Sequence, residues 1–103
     1  MATLHTINKS PFERNSLDSC LGVSKADSSV LFIEDGVVGA LSNTAASEKL
    51  SSAMSNGQSI YVLGNDLAAR GLSEDRLLDG VKVVDYAGFV QLSADHDRVQ
   101  NWL

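Results

Sequence analysis

Cys20 is the only cysteine of this chain, and its thiol is the side chain best suited to nucleophilic or persulfide chemistry. A thiol reacts as its thiolate, so a sulfur carrier needs solvent access together with a helix N-terminus or a nearby cation. If a helix begins at Ser16, Cys20 lies in or just beyond its first turn, where the helix dipole still favours a negative charge. If the helix begins at Ser10, the thiolate depends on a neighbouring cation. The candidates for that cation are Lys9, Arg14 and Lys25.

The alternative for Cys20 is a buried, inert side chain. It shares one helix face with Leu17 and Leu21, and free cysteine is among the most buried residue types. One cysteine cannot form an intramolecular disulfide, so a reducing, cytoplasmic setting is the simplest interpretation.

Acidic and histidine residues form two further candidate sites. Glu34 and Asp35 follow a predicted central strand, at the edge where open α/β sheets bind ligands, so they are either acid–base groups or a solvated turn. The run from Asp95 through His96 to Asp97 contains metal-capable side chains. Adjacent side chains converge poorly, however, and no second His or Cys lies nearby, so we predict no metal site. His5 is expected to be a satisfied, partly buried histidine.

Phosphate-binding motifs are absent from the sequence. It contains neither GxGxxG nor GxxxxGK[ST], and residues 8–13 offer one hydroxyl, no glycine and a carboxylate that would repel phosphate. The first predicted strand also ends without the acidic cluster of receiver domains. We therefore predict no cofactor.

Composition limits the class of protein. The 103 residues carry 13 acidic and 8 basic side chains, a formal net charge of −5, and 44% of them are hydrophobic. These values predict one globular domain, residues 1–103. The negative charge argues against direct binding of nucleic acid or an anionic membrane, because both depend on cations. We find no membrane span and no secretory signal.

The elements that must position these residues alternate along the chain. Apolar runs predict strands at Leu4–Ile7, Val30–Ile33, Ile60–Leu63 and Val81–Val84. Helical segments are predicted from Ser10 or Ser16 through Leu21, over Thr44–Asn56 and Asp66–Arg70, and from near Ala87 until residues 95–97 interrupt it. This alternation predicts an α/β fold, a small three-layer sandwich with a mostly parallel sheet of four to five strands.

The apolar C-terminal segment closes the chain with Val99, Trp102 and Leu103. Tryptophan is enriched at binding hot spots, so Trp102 either anchors a partner or folds back onto its own core.

Taken together, these segments resemble the DsrH/TusB family of small sulfur-relay subunits, and DsrH most closely. The resemblance is carried by LHTINKSPFERNSL at residues 4–17 followed by Cys20 and Leu21, LFIEDG at 31–36, YVLGNDLAARG at 61–71, VDYAGFV at 84–90, and Trp102. It covers nearly the whole chain and is weakest across residues 39–59.

The resemblance implies a DsrE-like α/β sandwich and a role in a cytoplasmic persulfide relay. Relatives join two homologous subunits, DsrE- and DsrF-like or TusD- and TusC-like, in a heterohexamer. That complex takes sulfur from a TusA-like donor and passes it to a DsrC- or TusE-like acceptor. The principal sulfur-carrying cysteine belongs to the larger partner subunit, while Cys20 matches the cysteine of DsrH proteins, which some TusB relatives lack. Cys20 therefore favours a DsrEFH-type subunit in sulfur oxidation, with Cys20 as the candidate catalytic residue.

Three alternatives remain open at this point. A TusB-type subunit would supply sulfur for 2-thiouridine at the tRNA wobble position. A purely structural subunit would keep Cys20 inert. An independent domain for small molecules would use the edge of the sheet at Glu34 and Asp35.

Overall fold

The computed structural model describes residues 2–12, 15–23 and 25–102. Five strands form its sheet: β1 (Thr3–Ile7), β2 (Ser29–Phe32), β3 (Ser59–Leu63), β4 (Lys82–Val84) and β5 (Arg98–Trp102). Four α-helices connect them: α1 (Ser16–Val23), α2 (Ser47–Ser55), α3 (Gly64–Ala69) and α4 (Tyr86–Asp95). Two 3₁₀ helices, Glu34–Ala40 and Glu74–Arg76, follow β2 and α3.

The sheet confirms the predicted α/β class. All strand pairs are parallel, and the order across the sheet is β4-β3-β2-β1-β5. The steps from β1 to β4 run in one direction, so right-handed crossovers place α1, α2 and α3 on one face. The step from β4 to β5 runs back across the whole sheet and places α4 on the other face. The result is the predicted three-layer sandwich.

The main core lies between the sheet and α1–α3. Alternation along the strands turns one row of side chains toward these helices, with Val30 beside Ile60 and Phe32 beside Val62. All four side chains are at most 1% exposed. Buried residues of the helices complete the cluster: Leu17, Cys20, Leu50 and Leu67. The two strands read as continuous apolar runs because they are covered on both faces.

Strand β5 corrects the prediction for the end of the chain, which was expected only as an apolar closing segment. It pairs with β1, with Val99 opposite Leu4 and Trp102 opposite Ile7. Residues 98–101 are exposed because β5 is an edge strand. Its two apolar residues, Val99 and Trp102, are separated by Gln100 and Asn101, so β5 has neither strict alternation nor the continuous apolar run of the inner strands.

Helix boundaries decide between the two predicted starts of α1. The helix begins at Ser16, and Ser10 lies in a turn where its Oγ accepts a hydrogen bond from Phe12 N–H at 3.2 Å. A helix start at Ser10 would also have paired its hydroxyl with the backbone N–H of Glu13, which lies outside the described residues. The second predicted helix begins at Ser47 rather than Thr44, and it ends before Gly57, whose φ of 100° confirms the expected left-handed position.

Candidate functional site

Cys20 faces the sheet from α1 and is fully enclosed, with 0% of its surface exposed. Burial raises the pKa of its thiol to about 12, because a thiolate in this apolar cluster would lose its hydration. The sulfur is therefore protonated and inaccessible in this structure. The position early in α1 is the one that would favour a thiolate, but the rotation of the helix turns the side chain into the core. A carrier role for Cys20 stays a prediction.

The Glu34–Asp35 edge is held by bonds to α3. Glu34 has a φ of 50°, and its backbone N–H donates to Asp66 Oδ2 at 2.7 Å. Arg70 donates to Asp35 Oδ1 from both Nη2, at 2.8 Å, and Nε, at 3.2 Å. The two residues lie at the carboxyl end of β2, as predicted. Asp35 is engaged in an ion pair, so this edge joins β2 to α3 rather than presenting two free carboxylates.

Close packing under this edge explains Gly36. A Cβ built on Gly36 would lie 2.2 Å from the carbonyl oxygen of Ile7, which accepts a hydrogen bond from Ile33 N–H at 3.0 Å. The 3₁₀ helix therefore contacts the end of β1 through backbone, and no side chain fits between them.

Side chains of the Asp95–His96–Asp97 run diverge, as expected. Asp95 accepts from Gln91 Nε2 at 2.9 Å, and Asp97 accepts from the backbone N–H of Ala2 at 2.9 Å. The His96 imidazole donates from Nδ1 to the Leu92 carbonyl at 2.7 Å, which leaves Nε2 to accept from the Ser29 hydroxyl at 2.9 Å. Among residues 2–12, 15–23 and 25–102, no group of three or more His, Cys, Asp or Glu side chains is arranged to hold a metal ion.

His5 and Trp102 form a polar contact between β1 and β5. The Trp102 Nε1–H donates to His5 Nδ1 at 3.0 Å, and the ring centroids are 6.1 Å apart. His5 is only 4% exposed, and burial lowers its pKa, which confirms the expected satisfied histidine. Trp102 is half-buried and packs against the main core. It is therefore a core residue in this chain, and its use as an interface anchor stays a prediction.

Helix α4 exposes an apolar stripe, which we define as Tyr86, Val90 and Ala94. These residues recur at every fourth position and form one row along the helix. Tyr86 is 57% exposed and Val90 is 70% exposed, and no residue of α4 is buried. Other residues of α4 are partly buried, whereas the three residues of the stripe are exposed and accessible to another molecule.

A basic groove at the amino ends of β1 and β5 was not predicted from the sequence. Its cations, Lys25 and Arg98, are 73 positions apart in the chain and meet only because β5 pairs with β1. The sequence predicted Lys25 only as a candidate cation beside Cys20. No local pattern in the sequence could have identified this groove, because its residues come from three separate segments.

The parallel sheet, with helices on both of its faces, defines a small three-layer α/β sandwich protein, and the single thiol is enclosed in its core. A family model described as "DsrH like protein" matches residues 9–99. The chain therefore belongs to the DsrH-like family, and the predicted resemblance is confirmed.

Curated relatives are similar over nearly the whole chain. Three proteins named "Protein TusB" match 96% of this chain and 99% of their own length. They are 38% identical over 99 residues in Erwinia tasmaniensis, 35% over 100 residues in Pectobacterium parmentieri and 33% over 99 residues in Photorhabdus laumondii. These names favour the TusB-type alternative over the DsrEFH-type interpretation.

Solved structures share the fold. The ychN protein from E. coli superposes with a TM-score of 0.84 at 17% identity, covering 99% of this chain and 100% of its own. A protein of unknown function from Methanobacterium thermoautotrophicum has a TM-score of 0.74 at 19% identity, covering 96% and 97%. At these identities the similarity shows the fold alone. No helix within the described ranges is both long and apolar enough to span a membrane.

Proposed function

We propose that this chain is a TusB-type subunit of a cytoplasmic sulfur relay that supplies sulfur for 2-thiouridine at the tRNA wobble position. The observation that carries the proposal is the similarity to proteins named TusB, at 33–38% identity for the three relatives above and over 96% of the chain. Its partners are two homologous subunits, TusD- and TusC-like, in a heterohexamer. That complex receives sulfur from a TusA-like donor and hands it to a TusE-like acceptor.

Within that complex, the chain completes the assembly and does not carry sulfur itself. The enclosed position of Cys20 and the raised pKa of its thiol support this role, because persulfide exchange needs an accessible thiolate. The chemistry then belongs to the cysteine of the larger partner subunit. Cys20 contributes packing between α1 and the sheet.

The α4 stripe is the surface that we assign to contact with a homologous subunit. A contiguous row of exposed apolar side chains on one helix is typical of a surface that another protein covers. The stripe lies on the sheet face opposite α1–α3, so a partner can pack there without disturbing the main core.

Complementation tests the relay role. A bacterium lacking its own TusB should regain wobble 2-thiouridine, measured by mass spectrometry of digested tRNA, when it expresses this chain. Cys20→Ala should restore it equally. No restoration, despite a complex with the host subunits, would refute the tRNA role and favour the DsrEFH-type alternative. Restoration by the wild type but not by a folded Cys20→Ala would show that Cys20 carries sulfur.

Assembly tests the α4 stripe. We expect the chain to elute with its two homologous subunits as one species in size exclusion and native mass spectrometry, and Val90→Glu to weaken that species at least tenfold. Ser51→Glu is the matched control, since it adds the same charge to an exposed position of α2 on the opposite face. Equal effects of the two variants would remove the stripe from the interface.

A further inference from the structure

The basic groove lies where the first residues of β1 and β5 meet the end of α1. Its floor is formed by one face of the two strands, where Thr3 pairs with Arg98 and His5 pairs with Gln100. Val23 and the turn after α1, with Lys25 and Ser28, form its wall. The groove is open to solvent and has a volume of about 410 Å³. This volume is within the range of small-molecule sites, roughly 300–1,000 Å³.

The charge of the groove is opposite to that of the chain. Two of the 8 basic residues line it, whereas none of the described residues lining it is acidic, although the chain has 13 acidic side chains. Asp97 precedes Arg98, but its carboxylate accepts from the backbone N–H of Ala2 and is not part of the lining. Asp27, in the same turn as Lys25, is also outside the lining. The described residues that line the groove therefore offer an anion two cations and no carboxylate.

His5 adds a neutral donor to the same groove. The Trp102 indole donates to Nδ1, so the neutral imidazole carries its proton on Nε2. Burial lowers the pKa of His5, and protonation would also place a second N–H against the indole donor. His5 lines the groove, and because Nδ1 is occupied by the indole, Nε2–H is the ring donor that remains for a ligand. Ser28 also lines the groove, and its Oγ accepts a hydrogen bond from Lys25 N–H at 3.3 Å.

We propose that this groove binds a phosphate- or sulfate-type oxyanion, free or as the anionic group of a small molecule. Lys25 and Arg98 supply the charge, and His5 Nε2–H and the Ser28 hydroxyl donate to the oxygens. Arg98 suits this role because its planar guanidinium matches the geometry of such an oxyanion. The site is independent of the proposed relay role and of the α4 stripe.

The chain contains its own reporters for the test. Trp102 is its only tryptophan, and His5 and His96 are its only histidines. In titrations of the isolated protein with inorganic phosphate, sulfate or a phosphate monoester, at constant ionic strength, the Trp102 indole N–H and the His5 imidazole resonances should shift and saturate. His96 lies on the other face and should not move. Tighter binding of the monoester would show that the ligand is an organic phosphate.

Charge variants locate the site. Arg98→Gln and Lys25→Gln should each weaken binding about tenfold, as expected for loss of one charge-assisted contact. Arg76→Gln is the matched control, because Arg76 is exposed and outside the groove. Shifts that chloride reproduces, shifts that do not saturate, or equal losses in all three variants would overturn the proposal. Any of these results would indicate that the two cations attract anions only non-specifically.

Discussion

Cys20 should be nearly inert toward thiol reagents in the folded protein. At about pH 8, a thiol with the ordinary pKa of 9.0 is roughly one-tenth ionised, whereas a thiol with a pKa of about 12 is ionised in roughly one molecule in ten thousand. The raised pKa alone therefore slows alkylation about 1,000-fold relative to the unfolded chain. The 0% exposure of Cys20 adds to that factor.

Iodoacetamide labelling followed by intact mass measurement gives the rate in native buffer and in denaturant. Because Cys20 is the only cysteine, every added mass reports this one thiol, and Cys20→Ala is the blank. Reaction through global unfolding does not hide the effect. A stability of about 5 kcal/mol or more leaves only about one molecule in several thousand unfolded.

A native rate within about tenfold of the denatured rate would refute this reasoning. It would mean that α1 opens or rotates enough to expose the sulfur. The same measurement with a persulfide donor would then show whether the chain gains the mass of one sulfur atom. That gain would support Cys20 as a carrier.

Three further predictions concern backbone packing and titration. Gly36→Ala should lower the free energy of unfolding by about 1–3 kcal/mol, measured by urea denaturation, because its Cβ would meet the Ile7 carbonyl oxygen. Gly22→Ala, which meets nothing within 4 Å in α1, should instead raise it by up to about 1 kcal/mol, and equal effects would contradict the packing argument. Glu34→Gly should raise the free energy of unfolding by about 0.5–1 kcal/mol in the same urea measurement, because glycine adopts a φ of 50° without strain. A lower free energy of unfolding would contradict the strain argument. The pKa of the His5 imidazole, measured by NMR, should lie below 6.5 because the ring is buried. The contribution of this group to stability is then full above pH 6.5 and is lost as the pH falls through the lowered pKa. A titration midpoint at or above 6.5 would contradict the burial of the ring.

The inner sheet could be predicted from the sequence because its strands carry their own signal. Val30–Phe32 and Ile60–Leu63 are continuous apolar runs, and such runs arise where helices cover both faces of a parallel strand. The edge strand β5 lacked that signal. Residues 98–101 are exposed and only Trp102 is half-buried, so only pairing with β1 distinguishes this strand from a polar tail.

For the site residues too, the sequence predicted identity and position in the chain, and the tertiary structure decided orientation and partners. The sequence identified Cys20 as the single thiol, and it left both the exposed and the buried orientation open. A rotation of α1 by a fraction of a turn separates the two, and contact with the sheet decides that rotation. The sequence correctly placed Glu34 and Asp35 at the end of β2. It did not predict the ion pair between Asp35 and Arg70, because these residues are 35 positions apart in the chain.

The amino-acid sequence by itself determined the α/β class, the resemblance to the DsrH/TusB family and the absence of phosphate-loop motifs. These depend on composition, local periodicity and short motifs, which are properties of neighbouring residues. Only the tertiary structure decided that Cys20 is enclosed, that Trp102 bonds to His5, and that Lys25 meets Arg98 in one groove. Each of these depends on contacts between distant segments, because the parallel crossovers bring together residues that the chain keeps far apart.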